Sequence, residues 1–466
     1  MSWLKPKEHI HFIGIGGYGM SAIARVLLEM GYRVTGSDVA ENKLTQSLVT
    51  RGAEIHIGHQ AVLIEGADRV VYSSSIPGDN VELKAAREQG MPVLHRSQML
   101  AVLLNNKQGI AVAGAHGKTS TSSMIAQTME EGGADPTYVI GGEVVSLGSN
   151  AKAGNSPYVV AEADESDGTF LEYYPQIAVV TNIEPDHLEN YEGSFENLKG
   201  AYRRFLSQVK EDGVAILGWD DPYLPEIVGE CKARVITYAL DREADYTATH
   251  LHQVLNRTQF TVNYQGTPLG DVTIQVPGRH NVANALAAII VCLEAGLPFD
   301  TIAEGLSRFR GAKRRFQVIG EADDILVVDD YAHHPTEIKA TINGLKALNR
   351  RIFGVFQPQR YSRTHLLMEE FSQAFPEVDE LVITDIYSPP GEPPIPGVTS
   401  ERLTQMVREN SNPNTVYRAT KEDVELHLLQ HARPGDLVIT MGAGDIWRVA
   451  HNLVPALKVR QQEKAK

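Results

Sequence analysis

The sequence predicts an α/β protein of three domains, each built on a mostly parallel sheet with helices on its faces. At 466 residues the chain exceeds one ordinary domain, which holds roughly 100–200 residues. Short apolar runs such as IAVVTN and DLVITM have the pattern of inner parallel strands buried on both faces. These runs end in glycine-rich or charged loops that lead into helical stretches, the rhythm of βαβ units.

The first domain, 1–107, is Rossmann-like. HIHFIGIG is its opening strand, MSAIARVLLEM the helix after the turn, and YRVTGSD a second strand ending in an acid; ADRVVYS and MPVLH follow. The second, 108–312, has the layout of a P-loop-type ATPase domain with a mostly parallel sheet. GIAVAG is a strand passing straight into a loop and helix, and YVVAEA and IAVVTN are further buried strands. After Gly213 the texture changes, and alternation over 254–276 suggests hairpins before a helix at 280–295. A hinge at 311–313 leads to the third domain, 313–466, again Rossmann-like. Its strands are ILVVDDY, RRIFGVFQP, ELVITDIY and DLVITMGAG, and Pro335 suits the first turn of a helix.

Hydrophobic residues make up 42% of the chain, enough for packed cores. The formal net charge of −15 argues against non-specific nucleic-acid binding, though a few placed Lys, Arg and backbone N–H groups still suit an anionic small substrate. The N-terminus lacks the basic, apolar and cleavable layout of a signal peptide, and the apolar run ALAAIIVCL is far short of a membrane span. Cys231 and Cys292 imply neither a disulfide framework nor a zinc cluster. The expected location is the cytoplasm, with no membrane or nucleic-acid partner.

Two loops invite phosphate. Gly14, Gly16, Gly17 and Gly19 form G-x-G-x-x-G between strand and helix, and Asp38 ends the next strand where an acid meets a ribose. Locally this suits a nicotinamide or flavin nucleotide, while a turn that only packs helix on strand asks for the same glycines. The second loop runs Gly114, Ala115, His116, Gly117, Lys118, Thr119, Ser120. A Lys reaches β/γ-phosphates and a Thr hydroxyl can ligate Mg²⁺, although Val112 stands where the strict pattern has glycine.

Polar clusters lie at other strand ends. One strand ends at Glu162 and is followed by Asp164, Glu165 and Asp167; another precedes Asp186 and His187. Beside a phosphate loop such carboxylates and imidazole can hold Mg²⁺. In the third domain, His333 and His334 suit either a helix start or a site, and Arg360 and Arg363 suit either surface charge or a carboxylate or phosphate clamp.

GIGGYGMS, GAHGKTSTSSM, EADESDGTFL, TNIEPDHLENY, PGRHNVANALAA, DDYAHHPTEI, QRYSRT and MGAGDI resemble, in order and spacing, the Mur ligases of peptidoglycan synthesis, in their alanine-adding branch. The resemblance covers essentially the whole chain. It implies an ATP- and Mg²⁺-dependent amide ligase that joins L-alanine to the carboxylate of UDP-N-acetylmuramate through an acyl phosphate. It assigns the UDP diphosphate, not a dinucleotide, to Gly14–Gly19, and ATP to the second loop. Lys118 would bridge the ATP phosphates; Thr119, Glu162 and His187 would surround Mg²⁺. Asn281 would approach the adenine, and Arg315 and Asp330 the nucleotide. His333, Arg360 and Arg363 would lie at the amino-acid end, with His333 a positioning group or base. GAHGKTS stands where GTHGKTT is commoner, a change at Ala115 and Ser120 only. Several sister ligases carry a carbamylated lysine beyond the His; here Tyr202 occupies that neighbourhood, Lys199 is the nearest lysine, and carbamylation is not expected. A dehydrogenase would leave the second loop unemployed, and a nucleotide switch would leave the acidic and His clusters so. A ligase recycling murein tripeptide usually departs from GIGGxGMS and ADESDxxFL, both present here.

Overall fold

The computed structural model describes residues 4–166, 168–254, 257–388 and 392–464; Asp167 of the acidic cluster lies outside them. The chain has a three-domain α/β fold on three sheets. The first has five strands, all parallel, in the order Glu54–Ile57, Arg33–Asp38, His9–Ile13, Arg69–Tyr72, Val93–His95. The order reverses beside His9–Ile13, which puts a crevice at the C-terminal end of that strand, where Gly14 begins the turn. Buried polar contacts fix the turn's base. His11 Nε2 and Ser37 Oγ each lie 2.8 Å from Glu82 Oε2, and the Ser37 carbonyl accepts the N–H groups of Gly14 and Ile15. Burial pushes the Glu82 carboxyl up, but hydrogen bonds from His11, Ser37 and His59 outweigh it and hold the group below its ordinary value.

The central sheet has ten strands. Its parallel part runs Arg234–Ala239, Val214–Gly218, Ile177–Val180, Gln108–Ala113, Tyr158–Glu162, Thr137–Val144, and Ser149–Lys152 closes one edge antiparallel. Tyr246–Val254, Arg257–Tyr264 and Thr267–Ile274 extend the other side. The change of texture expected after Gly213 comes later than expected: two more parallel strands intervene. Strand Arg234–Ala239 is only half buried along its length, so it lacks the continuous apolar run of an inner strand. Thr137–Val144 is masked in sequence by its paired glycines.

In the third sheet, Gln317–Ala322 lies antiparallel to Ile325–Asp330, and Asp436–Met441, Arg351–Phe356, Glu380–Ile383 and Thr415–Tyr417 follow in parallel. By its internal contacts the chain forms two compact units. One comprises residues 1–251, 260–273 and 282–310, with the first sheet and most of the central one. The other comprises 252–259, 274–281 and 311–466, with the third sheet. Within the first unit, helix Tyr18–Glu29 packs on Thr137–Val144 and Ser149–Lys152, and Glu29 accepts the Ala153 N–H at 2.9 Å. Both glycine loops therefore belong to one body. No described helix is long and apolar enough to cross a membrane.

Candidate active site

Strand Gln108–Ala113 is buried from Gly109 onward and delivers the chain to Gly114. There φ is +131°, and a Cβ would stand 2.0 Å from Thr181 Oγ1, so only glycine fits. Ala115 N–H donates to the Asn182 carbonyl at 3.0 Å, and His116 N–H to Asn182 Oδ1 at 2.9 Å. Those two amides thus brace the loop against the end of Ile177–Val180. The groups directed outward are the first amides of helix Lys118–Glu131, at Lys118, Thr119 and Ser120, which have no preceding turn to pair with. Lys118 Nζ donates to the Gly114 carbonyl at 2.6 Å and to both Glu165 oxygens at 2.8 Å. Burial acts against the ammonium, but Glu165, Asp164 and Glu162 outweigh it and hold its pKa above the ordinary lysine value.

Thr119 and Glu162 are brought into contact: the Thr119 hydroxyl donates to Glu162 Oε2 at 3.2 Å. Glu162 Oε1 accepts the Gly141 N–H at 2.6 Å and the Ser122 hydroxyl at 3.3 Å. This fixes the carboxylate while leaving it lone pairs for a cation. His187 stands on the next loop, at φ +55°, with Nε2 3.5 Å from Asp186 Oδ2. Tyr18, from the first glycine loop, reaches the same neighbourhood. Burial and the charges of Glu143 and Glu162 push its phenol up to about 12.

In the first loop, Gly16 N–H donates to Asp38 Oδ2 at 2.7 Å, and Asn42 Nδ2 to the Gly16 carbonyl at 3.2 Å. Asp38 therefore braces the loop. Gly17 is the N-cap of helix Tyr18–Glu29 and caps it with no side chain, so the helix's first amides are open to an anion. Arg96, first residue of helix Arg96–Asn105, brings Nη1 within 3.2 Å of where a side chain at Gly19 would begin. Its charge also reaches Asp164.

In the second unit, His334 is the N-cap of helix Pro335–Leu345; its Nδ1 accepts the Thr336 N–H at 3.4 Å, and Pro335 takes the first turn. This separates the two histidines, since His333 is left with another task. Its Nδ1 lies 3.0 Å from the Tyr331 carbonyl and 3.2 Å from Glu337 Oε2. Two acceptors at Nδ1 place the proton there and leave Nε2 as the basic nitrogen. Burial, only partly offset by Glu337, pushes the imidazole down to about 4, with Arg363 and Arg315 adding to the fall. Arg315 crosses the Tyr331 ring at 5.0 Å and lies 3.5 Å from Glu337. Asp330 accepts the N–H groups of Phe316 and Ala332, each at 2.7 Å, and burial raises its carboxyl to about 6. Arg363 is 7% exposed and donates to Gln359 at 2.6 Å. Arg360 holds φ +68°, ψ 134°, a conformation costly for a residue with a side chain and found where structure over-determines a site. Asn281 is buried in the first turn of helix Arg279–Glu294, its amide donating to the Pro277 carbonyl at 2.7 Å.

Residues 9–108 match the Mur ligase family catalytic domain, 112–292 the Mur ligase middle domain, and 314–444 the Mur ligase glutamate ligase domain. The UDP-N-acetylmuramate–L-alanine ligase of Symbiobacterium thermophilum is 50% identical over 98% of this chain and 96% of its own. The chain belongs to the Mur ligase family. The alanine ligase of Pelotomaculum thermopropionicum is 48% identical over 98% of this Mur ligase and all of its own length. Among solved structures, the UDP-N-acetylmuramate–alanine ligase of Thermotoga maritima superposes with a TM-score of 0.79 at 27% identity, over 98% of this chain and 100% of that one. The murein peptide ligase of Psychrobacter arcticus gives 0.69 at 25%, over 97% and 99%.

Several groups in the clusters of the two units escape sequence reasoning. Arg96 lies in RSQML, outside any motif; only the bare Gly19 hints that a side chain passes there. Glu165 sits among other acids, and nothing in EADES distinguishes the one that meets Lys118. Glu337 is legible as a capping residue, since it stands three positions after His334, but not as the partner of His333.

Proposed function

We propose that this Mur ligase joins L-alanine to the carboxylate of UDP-N-acetylmuramate with cleavage of ATP to ADP and phosphate, a step of peptidoglycan precursor synthesis. The observation that carries the reading is the Lys118–Thr119–Glu162 constellation at a helix start, in a chain about half identical, end to end, with ligases of that name. A carboxylate acylates poorly because oxide would have to leave; phosphorylation replaces it with phosphate. That transfer needs alignment and neutralised charge more than covalent help. Lys118 and the helix amides of Thr119 and Ser120 supply both. Thr119 and Glu162, with His187 from the neighbouring loop, would hold Mg²⁺, whose preference for oxygen donors suits this hydroxyl and carboxylate. When bound, that ion would neutralise charge on the β- and γ-phosphates. Asn281, Arg315 and Asp330 are assigned to the nucleotide, and Arg360 and Arg363 to the alanine carboxylate. His333 Nε2 is the acceptor for the amine proton.

Gly14 to Gly19 take the UDP diphosphate on this reading, with Asp38 holding the loop's shape. Arg96 is the cation beside it. Arg96→Ala is expected to raise KM for the sugar nucleotide by about 10- to 100-fold, the scale of a hydrogen bond to a charged group, and to leave KM for ATP nearly unchanged. Initial-rate kinetics with each substrate varied would check this; an unaltered sugar-nucleotide KM would remove Arg96 from the site.

The whole reading is tested by phosphate release from purified protein with ATP, Mg²⁺ and UDP-N-acetylmuramate, comparing L-alanine, glycine, L-serine and the murein tripeptide. Turnover with L-alanine is expected. Turnover with tripeptide alone would reassign the chain to peptide recycling.

A further inference from the structure

The second glycine loop enters its helix through a peptide that its own residues leave free to rotate. Gly117, the N-cap of helix Lys118–Glu131, holds φ +85°, a value that glycine alone takes at no steric cost. A Cβ there would also stand 2.5 Å from Asn284 Oδ1, so no stiffer residue fits. Glycine adopts negative φ as readily. The peptide joining His116 to Gly117 can therefore flip, exchanging the places of the His116 carbonyl and the Gly117 N–H. To an anion the two orientations are opposite. One adds an N–H to the helix amides of Lys118, Thr119 and Ser120; the other presents a carbonyl oxygen that repels phosphate.

That peptide is held from outside the loop, by the two residues that follow strand Ile177–Val180. The Thr181 hydroxyl donates to the His116 carbonyl at 2.5 Å, the nearer of its two acceptors, and Asn182 Nδ2 donates to the same carbonyl at 3.1 Å. Both lone pairs of that oxygen are thereby filled. Asn182 Oδ1 accepts the His116 N–H at 2.9 Å, so a single side-chain amide grips both polar groups of one residue. The clamp is itself fixed. The Asn182 carbonyl accepts the Ala115 N–H at 3.0 Å, and the Ile183 N–H donates to the buried Asp221 carboxylate at 2.8 Å. In a planar trans peptide the carbonyl and the N–H point in opposite directions. With the His116 carbonyl turned to Thr181 and Asn182, the Gly117 N–H faces away from them, and no group among the described residues accepts it.

We propose that Asn182, with Thr181, is a positioning residue for phosphoryl transfer: the pair keeps the His116 carbonyl away from the nucleotide, so that the Gly117 N–H meets the phosphates. The inference rests on the assignment of ATP to the Lys118 loop. The Ala115 and His116 amides are spent on Asn182, which leaves that of Gly117 for the ligand. Restraint has to come from a neighbouring strand end because the position that needs it admits only glycine.

His116–Gly117 is the only His–Gly pair in the sequence, so protein labelled with carbonyl-¹³C histidine and ¹⁵N glycine gives one carbonyl–amide cross-peak, that of this peptide. Magnesium adenylyl imidodiphosphate is expected to move its amide proton downfield in the wild type, as a new bond to a charged acceptor does. Asn182→Ala removes both side-chain contacts to His116 and keeps the main-chain contact to Ala115. Its affinity for the same nucleotide, measured by calorimetry, is expected to fall about tenfold. The downfield move should shrink with it, while KM for UDP-N-acetylmuramate stays unchanged. Thr181→Val, which takes only the hydroxyl from the carbonyl, should show the same pattern to a lesser degree. A role confined to folding would lower the melting temperature and the active fraction but leave the nucleotide affinity of the folded protein as it was. A wild-type cross-peak that stays in place while nucleotide binds would overturn the proposal, and that measurement needs no variant. Equal nucleotide affinity in Asn182→Ala, or a fall with the wild-type shift intact, would overturn it as well. A wild-type protein that binds no nucleotide would overturn the ATP assignment together with the clamp.

Discussion

Lys118→Ala is expected to lower the turnover number by about 10²–10³, the range of roughly 2.7–4 kcal/mol for removing one donor from a transition-state charge. The structure shows why that number alone would mislead. Lys118 and Glu165 form an ion pair with side-chain exposures of 17% and 4%. Removing one partner of a buried pair leaves the other uncompensated, at a cost of about 3–5 kcal/mol. The variant should therefore be both inactive and less stable, and lost activity would be confounded with lost fold. Lys118→Ala combined with Glu165→Gln separates the two. The amide carries no charge needing a counter-ion, so the denaturation midpoint should return most of the way to wild type. Phosphate release should stay at the level of the single variant, because no cation is restored at the γ-phosphoryl group. Near-normal ADP release by Lys118→Ala would remove Lys118 from phosphoryl transfer. A double variant that regains turnover would show that the single one had merely unfolded.

What the sequence disclosed follows from what each kind of residue needs. The strands ending at Val180 and Met441 were legible because burial on both faces demands continuous apolar runs. Lys118 and Thr119 were legible as candidates because backbone geometry around a phosphate dictates such a spacing from the glycines. Partnerships across the fold were not. The acid that holds Lys118 depends on how the turn after Glu162 folds back, and Glu162, Asp164 and Glu165 are equivalent until it does. His333 and His334 are adjacent and chemically identical. They diverge only once the helix start is known, because an N-cap consumes the side chain of one and leaves the other beside Tyr331 and Glu337. Arg96 meets the first glycine loop through a contact spanning four strands of the sequence, for which no local pattern exists.

His333→Asn is expected to lower the turnover number by about 10²–10⁴, the usual range for losing a general acid–base group, while moving KM for L-alanine little. Asparagine can place an amide N–H near the Nδ1 position and so keep the contacts to Tyr331 and Glu337, but it offers no basic nitrogen where Nε2 stood. Because burial brings His333 down to about 4, with Arg363 and Arg315 adding to the fall, the imidazole is neutral from that value upward. The wild-type kcat/KM profile should then show no added inflection near pH 6.5, where an ordinary histidine would become charged. A base this weak does not deprotonate free alaninium. The amine attacks in its neutral form, its first proton lost to solvent, and His333 accepts the second only after nitrogen has bonded to the acyl carbon, when the ammonium of the tetrahedral intermediate has become far more acidic. The two roles differ in their response to alkali. If His333 served to free the amine before attack, raising the pH would supply free amine and rescue His333→Asn. If it serves after attack, the deficit should persist across the alkaline range, at saturating L-alanine, in single-turnover measurements of amide formation. Rescue by pH, or an acid limb near 6.5, would assign the proton to a different base.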